Sequence, residues 1–342
     1  MKALGFLLVT IAGLGTGSIA WPIKVMRRFQ FEQWWFIGML MGLVVVPWTV
    51  TLIFVPNPLA AYRSADPLLL VKSNLFATCW GAANVLYGIC VVRIGAALTG
   101  AILTAFGVAV GVTVPMAFKG TGLFSAAPDL GSSAGRTVLL GVAVILMGAV
   151  IVAGAGFGRE RVLGSERRTG EFLGGLMMSI VGGILSCGLS FAFVYSQGPI
   201  VEAVKAQGAG DVPANFAVWA VGLLGGALIN VLYPAYLMTK HKSWSVVTRC
   251  WRDVGLAVLI GVQFIIAVAL MGRGMLLLGA LGASVGFGIQ QAMQILGNQG
   301  VGFISGEWRG VHGLPRKVMY LALAILIAAV VIMAHGNTLT AQ

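Results

Sequence analysis

The chain has 342 residues, 58% of them hydrophobic and 9% charged, with a mean hydropathy of +0.96. Soluble domains devote roughly a quarter of their residues to charge, so this composition excludes a water-solvated globule and requires lipid as solvent. The net charge of +12 at pH 7 would suit nucleic acid, but the basic residues fall in separate loops between apolar segments and form no single polar face, which excludes that class.

Membrane spans need about 20 mainly apolar residues, and ten segments qualify: 3–20, 34–55, 74–92, 94–118, 137–156, 172–195, 216–238, 254–271, 275–296 and 318–335. The pattern predicts an all-α membrane protein with ten transmembrane helices. These fall into two sets of five at an offset of 180 residues: 141–156 (GVAVILMGAVIVAGAG) runs against 321–336 (LALAILIAAVVIMAHG), Arg93 falls on Arg273, and Phe36, Gly42, Leu43 and Leu52 fall on Phe216, Gly222, Leu223 and Leu232. Five spans per half is odd, so the second half would start on the opposite side of the bilayer. The expectation is a 5+5 inverted-topology repeat, with one five-helix repeat in 1–157 and the other in 158–342, the plan of alternating-access carriers.

The first segment has a signal-peptide look, with Lys2 ahead of an apolar run that ends in small residues at Ser18 and Ala20. Cleavage after Ala20 would leave the first half one helix short, and the segment is read as a span. The loops after the odd-numbered spans carry Lys24, Arg27, Arg28, Arg93, Arg159, Arg161, Arg167, Arg168, Lys240, Lys242, Arg249, Arg252, Arg309, Arg316 and Lys317, which is fifteen basic residues. The opposite side has seven: Lys2, Arg63, Lys72, Lys119, Arg136, Lys205 and Arg273. The positive-inside rule puts the fifteen in the cytoplasm and both termini in the periplasm of a bacterial inner membrane. The same excess favours anionic lipid headgroups.

In chain order, the glycine run 13–17 (GLGTG) comes first and 154–158 (GAGFG) later. Neither follows a strand or has an acidic residue placed for a ribose, so no dinucleotide cofactor is implied. Gly38/Gly42, Gly107/Gly111 and Gly282/Gly286 have the GxxxG spacing that lets helix backbones approach in lipid. Cys79, Cys90, Cys187 and Cys250 form no CxxC pair and have no nearby histidine cluster, so neither a disulfide framework nor a metal site follows. HExxH and a Walker lysine are absent, and the chain is not read as an enzyme.

Polar residues inside apolar spans are costly and therefore informative. In the third span Trp80, Asn84 and Tyr87 share a face of about 60° at 100° per residue, placing aromatic surface beside an amide. That suits the C–H face and hydroxyls of a sugar, and ordinary packing is the competing reading. In the ninth span Gln290, Gln291, Gln294 and Asn298 fall within about 100°, with Ser284 near the edge. Carboxamides both donate and accept, as a polyol requires; interhelical hydrogen bonding is the alternative. Asn230 and Gln263 are weaker lining candidates, and Thr16 and Ser190 read as satisfied helix contacts. All ten acidic residues lie in loops or at span ends, as do His241, His312 and His335. Proton coupling would therefore run through Glu32, Asp253 or Glu307 at a cytoplasmic gate, and an uncoupled or sodium-driven carrier is equally compatible. Arg93 and Arg273 occupy equivalent turns of the two halves, either as gate residues pairing with Glu32 or another acid, or as snorkelling anchors.

The stretch 22–48, with Pro22, Lys24, Arg27, Arg28, Glu32, Trp35, Pro47 and Trp48, resembles the opening of the bacterial L-rhamnose/proton symporters, a branch of the drug/metabolite transporter superfamily. Trp80, Gly81, Asn84, Tyr87 and Gly88 stand in that family's W-G-x-x-N-x-x-Y-G order, with Arg93 and Gly95 following. Gly135, Arg136, Leu140, Gly141, Glu307 and Trp308 extend the likeness over essentially the whole chain, more specifically in the first half than in the second. It implies a ten-helix inverted repeat and uptake of a deoxy-hexose with protons. The family's eighth and ninth spans are rich in aromatic residues and include an acid and a histidine, whereas this chain has 264–270 (FIIAVAL) and 282–291 (GASVGFGIQQ). The likeness therefore does not fix the sugar or the coupling ion.

Together these readings predict a secondary carrier for a small sugar, L-rhamnose or a related deoxy-hexose, working by alternating access with a proton or sodium ion as possible partner and no cofactor. The predicted lining is Trp80, Asn84, Tyr87, Gln290, Gln291, Gln294, Gln263 and Asn230, and the predicted gate or coupling residues are Glu32, Arg93, Arg273 and Glu307. The alternative is a drug/metabolite-type exporter or importer of amino acids or other small metabolites.

Overall fold

The computed structural model describes residues 2–19, 21–94, 96–118, 127–164, 169–279 and 282–339, so Lys119, Glu166, Arg167 and Arg168 lie outside the described residues. Every regular element among them is helical, as lipid dictates, because only internally bonded backbone is stable there. Helix α1 (Lys2–Ser18) leads through a short turn to α2 (Phe31–Met39). A π-helical turn, Leu40–Val45, then joins α2 to α3 (Val46–Phe54). Pro47 has no N–H to give the preceding turn, and the wider π turn takes up that irregularity. Next come α4 (Pro58–Ser64), α5 (Pro67–Ile94), α6 (Ala96–Ala117), α7 (Ser133–Val162), α8 (Thr169–Ser186) and α9 (Gly188–Ala206). They are followed by α10 (Asp211–Gly222), α11 (Leu224–Lys240), α12 (Trp244–Arg249), α13 (Trp251–Leu278), α14 (Phe287–Ile304) and α15 (Leu314–Thr338).

Among the described residues, seven helical stretches are long and apolar enough to cross a membrane: Lys2–Val25, Phe31–Phe54, Thr99–Ala117, Ser133–Val162, Leu173–Ala206, Trp251–Leu278 and Leu314–Gly336. The count rises to eight if the α10–α11 pair, bent by 60°, is one span. This corrects the expectation of ten transmembrane helices, and no 5+5 inverted repeat is seen. The expected third and ninth spans lie on α5 and α14. Their apolar character is diluted by Asn74 and Asn84 in α5, and by Gln290, Gln291, Gln294, Asn298 and Gln299 in α14.

The chain forms two compact units, each drawing on both halves of the sequence. Unit 1 comprises Met1–Ser18, Leu86–Cys187 and Arg273–Gln342, and unit 2 comprises Ile19–Val85 and Gly188–Gly272.

In unit 1, α14 packs on α1, α6 and α15, while α7 packs on α15 and α6. The two segments that match at the 180-residue offset lie on α7 and α15, which face each other. Buried Val108, Val112, Ile145, Ile289, Met319, Leu326 and Met333 fill this unit. Helix α1 lies so close to α14 that a Cβ at Gly13 or Gly17 would collide with the carbonyl oxygen of Gln290 or Gln294. That gives the GLGTG run its role: it is an approach surface between helices.

In unit 2, α2 packs on α11, α3 on α10, and α9 on α10 and α4. Gly42 and Gly261 bring two backbones together, with a Cβ at Gly42 only 2.7 Å from the Gly261 oxygen. The break between α10 and α11 at Leu223 frees backbone groups, and α5 satisfies them. Asn74 donates from Nδ2 to Val221 O (3.0 Å) and accepts from Gly225 N at Oδ1 (2.9 Å). Ser73 donates to Gly222 O (3.0 Å) and Ala192 O (2.8 Å). A second internal anchor is buried Asp253 at the start of α13, whose carboxylate accepts from the successive backbone N–H groups of Arg27 (3.2 Å), Arg28 (2.8 Å) and Phe29 (3.2 Å). This ties down the segment that enters α2.

Candidate functional site

The residues predicted to line the site fall into two clusters, one in each unit. In unit 2, α5 and α11 bring Asn84 and Asn230 together: Asn84 Nδ2 donates to Asn230 Oδ1 at 3.1 Å. The indole of Trp35 on α2 donates to the same oxygen at 3.0 Å, and Asn230 Nδ2 donates to Gly226 O at 2.8 Å. An indole nitrogen can only donate, so Oδ1 of Asn230 must face Trp35, and Asn84 must meet that oxygen with its amino group. The Asn84 carbonyl oxygen is then the acceptor left for another partner. Asn230 itself is wholly buried with both ends engaged, which makes it the orienting member.

One turn before Asn84, Trp80 stacks on Phe264 of α13, ring centroids 6.0 Å apart and planes 12° from parallel. Both rings are buried. Gln263, next to Phe264, accepts from the indole of Trp21 at 3.0 Å. Unit 2 thus holds the Asn84–Asn230 carboxamide pair one turn of α5 from the Trp80–Phe264 stack, while Gln263 engages Trp21. Tyr87, predicted on the same face as Trp80, belongs to unit 1 and is half-buried.

In unit 1, Gln290 donates from Nε2 to Thr16 Oγ1 at 2.8 Å and to Gln294 Oε1 at 3.2 Å. Its own Oε1 is buried and has no hydrogen-bond partner among the described residues. Gln291, one residue on, is buried and lies near Gly107 of α6, where a Cβ would stand 3.6 Å from Gln291 Nε2. Gln294 is half-buried.

The predicted gate residues are also placed. Glu32 is buried on α2, with Oε1 3.1 Å from Nδ1 of the half-exposed His241 after α11. Nearby, Gln33 donates to Ser243 Oγ at 2.7 Å. Glu307 pairs with Arg159 of α7 at 2.8 Å, and the Arg159 guanidinium lies 5.6 Å over the Trp308 ring. Trp308 stacks on Phe303, which stacks on Tyr320. Arg93 is exposed on unit 1, over Gly174 of α8, and Arg273 is half-buried in the same unit. Glu32, one of the acids named for either arginine, belongs to unit 2 and has His241 beside it.

Sequence reasoning missed Trp35, Phe264, Thr16, His241 and Arg159 as members of these clusters. Thr16 stood beside the GLGTG glycines that bring α1 onto α14, and that juxtaposition was the available signal. Trp35 was marked only as part of the family-like stretch 22–48, and Phe264, a single aromatic residue in an apolar helix, carried no periodic mark. Among the described residues, no group of three or more His, Cys, Asp and Glu side chains could hold a metal ion.

Against known proteins, the family described as L-rhamnose-proton symport protein (RhaT) matches residues 2–338. An L-rhamnose-proton symporter of Cronobacter sakazakii is 26% identical over 342 residues, covering 97% of each chain. Proteins of the same description from Yersinia pestis and Yersinia pseudotuberculosis are 31% identical over 227 residues, covering 66% of this chain and 64% of theirs.

Proposed function

The chain belongs to the L-rhamnose-proton symport protein family, and on that premise we propose that it is a secondary carrier that brings a small sugar, L-rhamnose or a related deoxy-hexose, across the bacterial inner membrane together with a proton. The family match along nearly the whole chain carries this reading. The chemistry of the two clusters supports it. Carboxamides that offer both donors and acceptors, beside the stacked Trp80 and Phe264, suit a solute with hydroxyls on its edges and C–H groups on its faces.

The substrate-lining residues in this reading are Trp80, Asn84, Tyr87, Gln290, Gln291 and Gln294, with Asn230 orienting Asn84 and Gln263 more peripheral. Glu32 is the proton-carrying candidate. It is buried and has His241 as its partner, whereas Asp253 is occupied by three backbone N–H groups and Glu307 by Arg159. Arg93 and Arg273 serve the ends of the path. The charge distribution favours both termini in the periplasm.

The test is uptake of labelled L-rhamnose into proteoliposomes holding the purified chain, with and without an inward proton gradient. Gradient-dependent accumulation, competed by unlabelled L-rhamnose and not by amino acids, is the expected result. Absence of sugar uptake alongside uptake of an amino acid or drug would overturn it.

A further inference from the structure

Gln290 is the buried polar residue of α14 whose hydrogen bonding is left incomplete, and its surroundings fix which atom is left over. The Thr16 hydroxyl gives its proton to its own helix, at Gly13 O (3.0 Å) or Ala12 O (3.1 Å), so only its lone pairs face α14. The atom opposite must be a donor, which forces Gln290 Nε2 toward Thr16 and Gln290 Oε1 away from it. Both hydrogens on Nε2 are then used, one on Thr16 and one on Gln294 Oε1. What remains is an acceptor at Gln290 Oε1, 2% exposed as a residue and unpartnered among the described residues. Gln294, whose Oε1 takes one of those hydrogens, is half-buried. A buried acceptor left open costs more than an ordinary hydrogen bond returns. One that persists in a carrier is explained by a partner that arrives and leaves.

We propose that Thr16 is a positioning residue that holds Gln290 so that Gln290 Oε1 is presented as an acceptor for one hydroxyl of the transported sugar. The hydroxyl gives its proton to Gln290 Oε1. The inference rests on the sugar-carrier reading. It adds that one substrate hydroxyl must act as a donor, and that recognition depends on a threonine of α1 which need not touch the sugar. The close approach at Gly13 and Gly17 is what brings Thr16 within reach.

The test measures binding of L-rhamnose, and of its derivatives with a single hydroxyl replaced by hydrogen, to the purified full-length chain by calorimetry. It compares the unaltered protein with Thr16→Val, Thr16→Ser and Gln290→Met. The unaltered chain is expected to reject one deoxy derivative about tenfold or more, since losing a donor leaves the buried acceptor unpaired. Thr16→Val and Gln290→Met should bind L-rhamnose correspondingly more weakly and no longer distinguish that derivative. Thr16→Ser keeps the lone pair and should behave like the unaltered chain, which a purely packing role for the threonine methyl would not produce. If Thr16→Val does not fold, Gln290→Met carries the same comparison. Full affinity and discrimination in either folded variant would overturn the inference and leave the carrier reading intact. Absence of L-rhamnose binding to the unaltered chain would overturn the carrier reading and the inference with it.

Discussion

The indole of Trp35 donates to Asn230 Oδ1 at 3.0 Å, and that bond decides which end of the Asn84 carboxamide is available. Asn84 must spend its amino group on the same oxygen, leaving its carbonyl oxygen free to accept. Asn84→Asp cannot make that donation and sets two oxygens against each other. L-rhamnose affinity is expected to fall tenfold or more, measured by calorimetry, while Asn84→Gln, with both functional groups one methylene further out, should fall less. Trp35→Phe removes the indole donor together with part of a buried ring and should cost about 1–3 kcal/mol of stability in a thermal melt.

Ser73 and Asn74 satisfy three backbone groups at the α10–α11 break. Asn74→Leu leaves Val221 O and Gly225 N without their partner, and a buried unpaired group costs about 1–3 kcal/mol. The variant should melt well below Ser73→Ala, for which about 1 kcal/mol is expected. Equal melting temperatures for the two variants would show that the break does not need α5.

Gly17 and Gly154 separate approach surface from filler. A Cβ at Gly17 collides with the backbone of α14, whereas one at Gly154 meets nothing within 4 Å. Gly17→Ala should lower the yield of monodisperse protein on gel filtration, because backbone cannot move aside as a flexible side chain can. Gly154→Ala should be neutral or slightly stabilising, as alanine favours helix over glycine by about 1 kcal/mol.

Glu32 supplies the test of coupling. Glu32→Gln keeps shape and removes the proton site, so accumulation of L-rhamnose against its gradient should be lost while exchange of labelled for unlabelled sugar across proteoliposomes survives. Loss of both activities in a folded variant would assign Glu32 to the architecture instead.

Membrane class and family were legible in the sequence, because the apolar runs and the W-G-x-x-N-x-x-Y-G pattern are local properties. The carboxamides at 84, 230, 290 and 294 were legible as costly groups in apolar helices. Their pairing was not. Asn84 meets Asn230 across 146 residues and Gln290 meets Thr16 across 274, and no periodicity reports such distances. The span count failed for a related reason. In α14 the carboxamides that marked the helix as interesting are the ones that lower its apolar character, and a count of mainly apolar segments takes it with its neighbours. The histidine beside Glu32, which comes from the end of α11, was likewise out of reach of the sequence pattern.

The corner at Leu223 is stiffer than a broken helix ordinarily is. A bare break is a natural hinge, since its free carbonyls and N–H groups can be rehydrated in more than one geometry. Here Ser73 and Asn74 hold those groups from a separate helix, so rotating α11 about Leu223 means surrendering bonds to α5 as well. Within unit 2, the neighbouring stretches of α5, α10 and α11 therefore move as one piece. Asn84 and Asn230, which ride on that piece, keep their mutual orientation whatever the rest of the chain is doing.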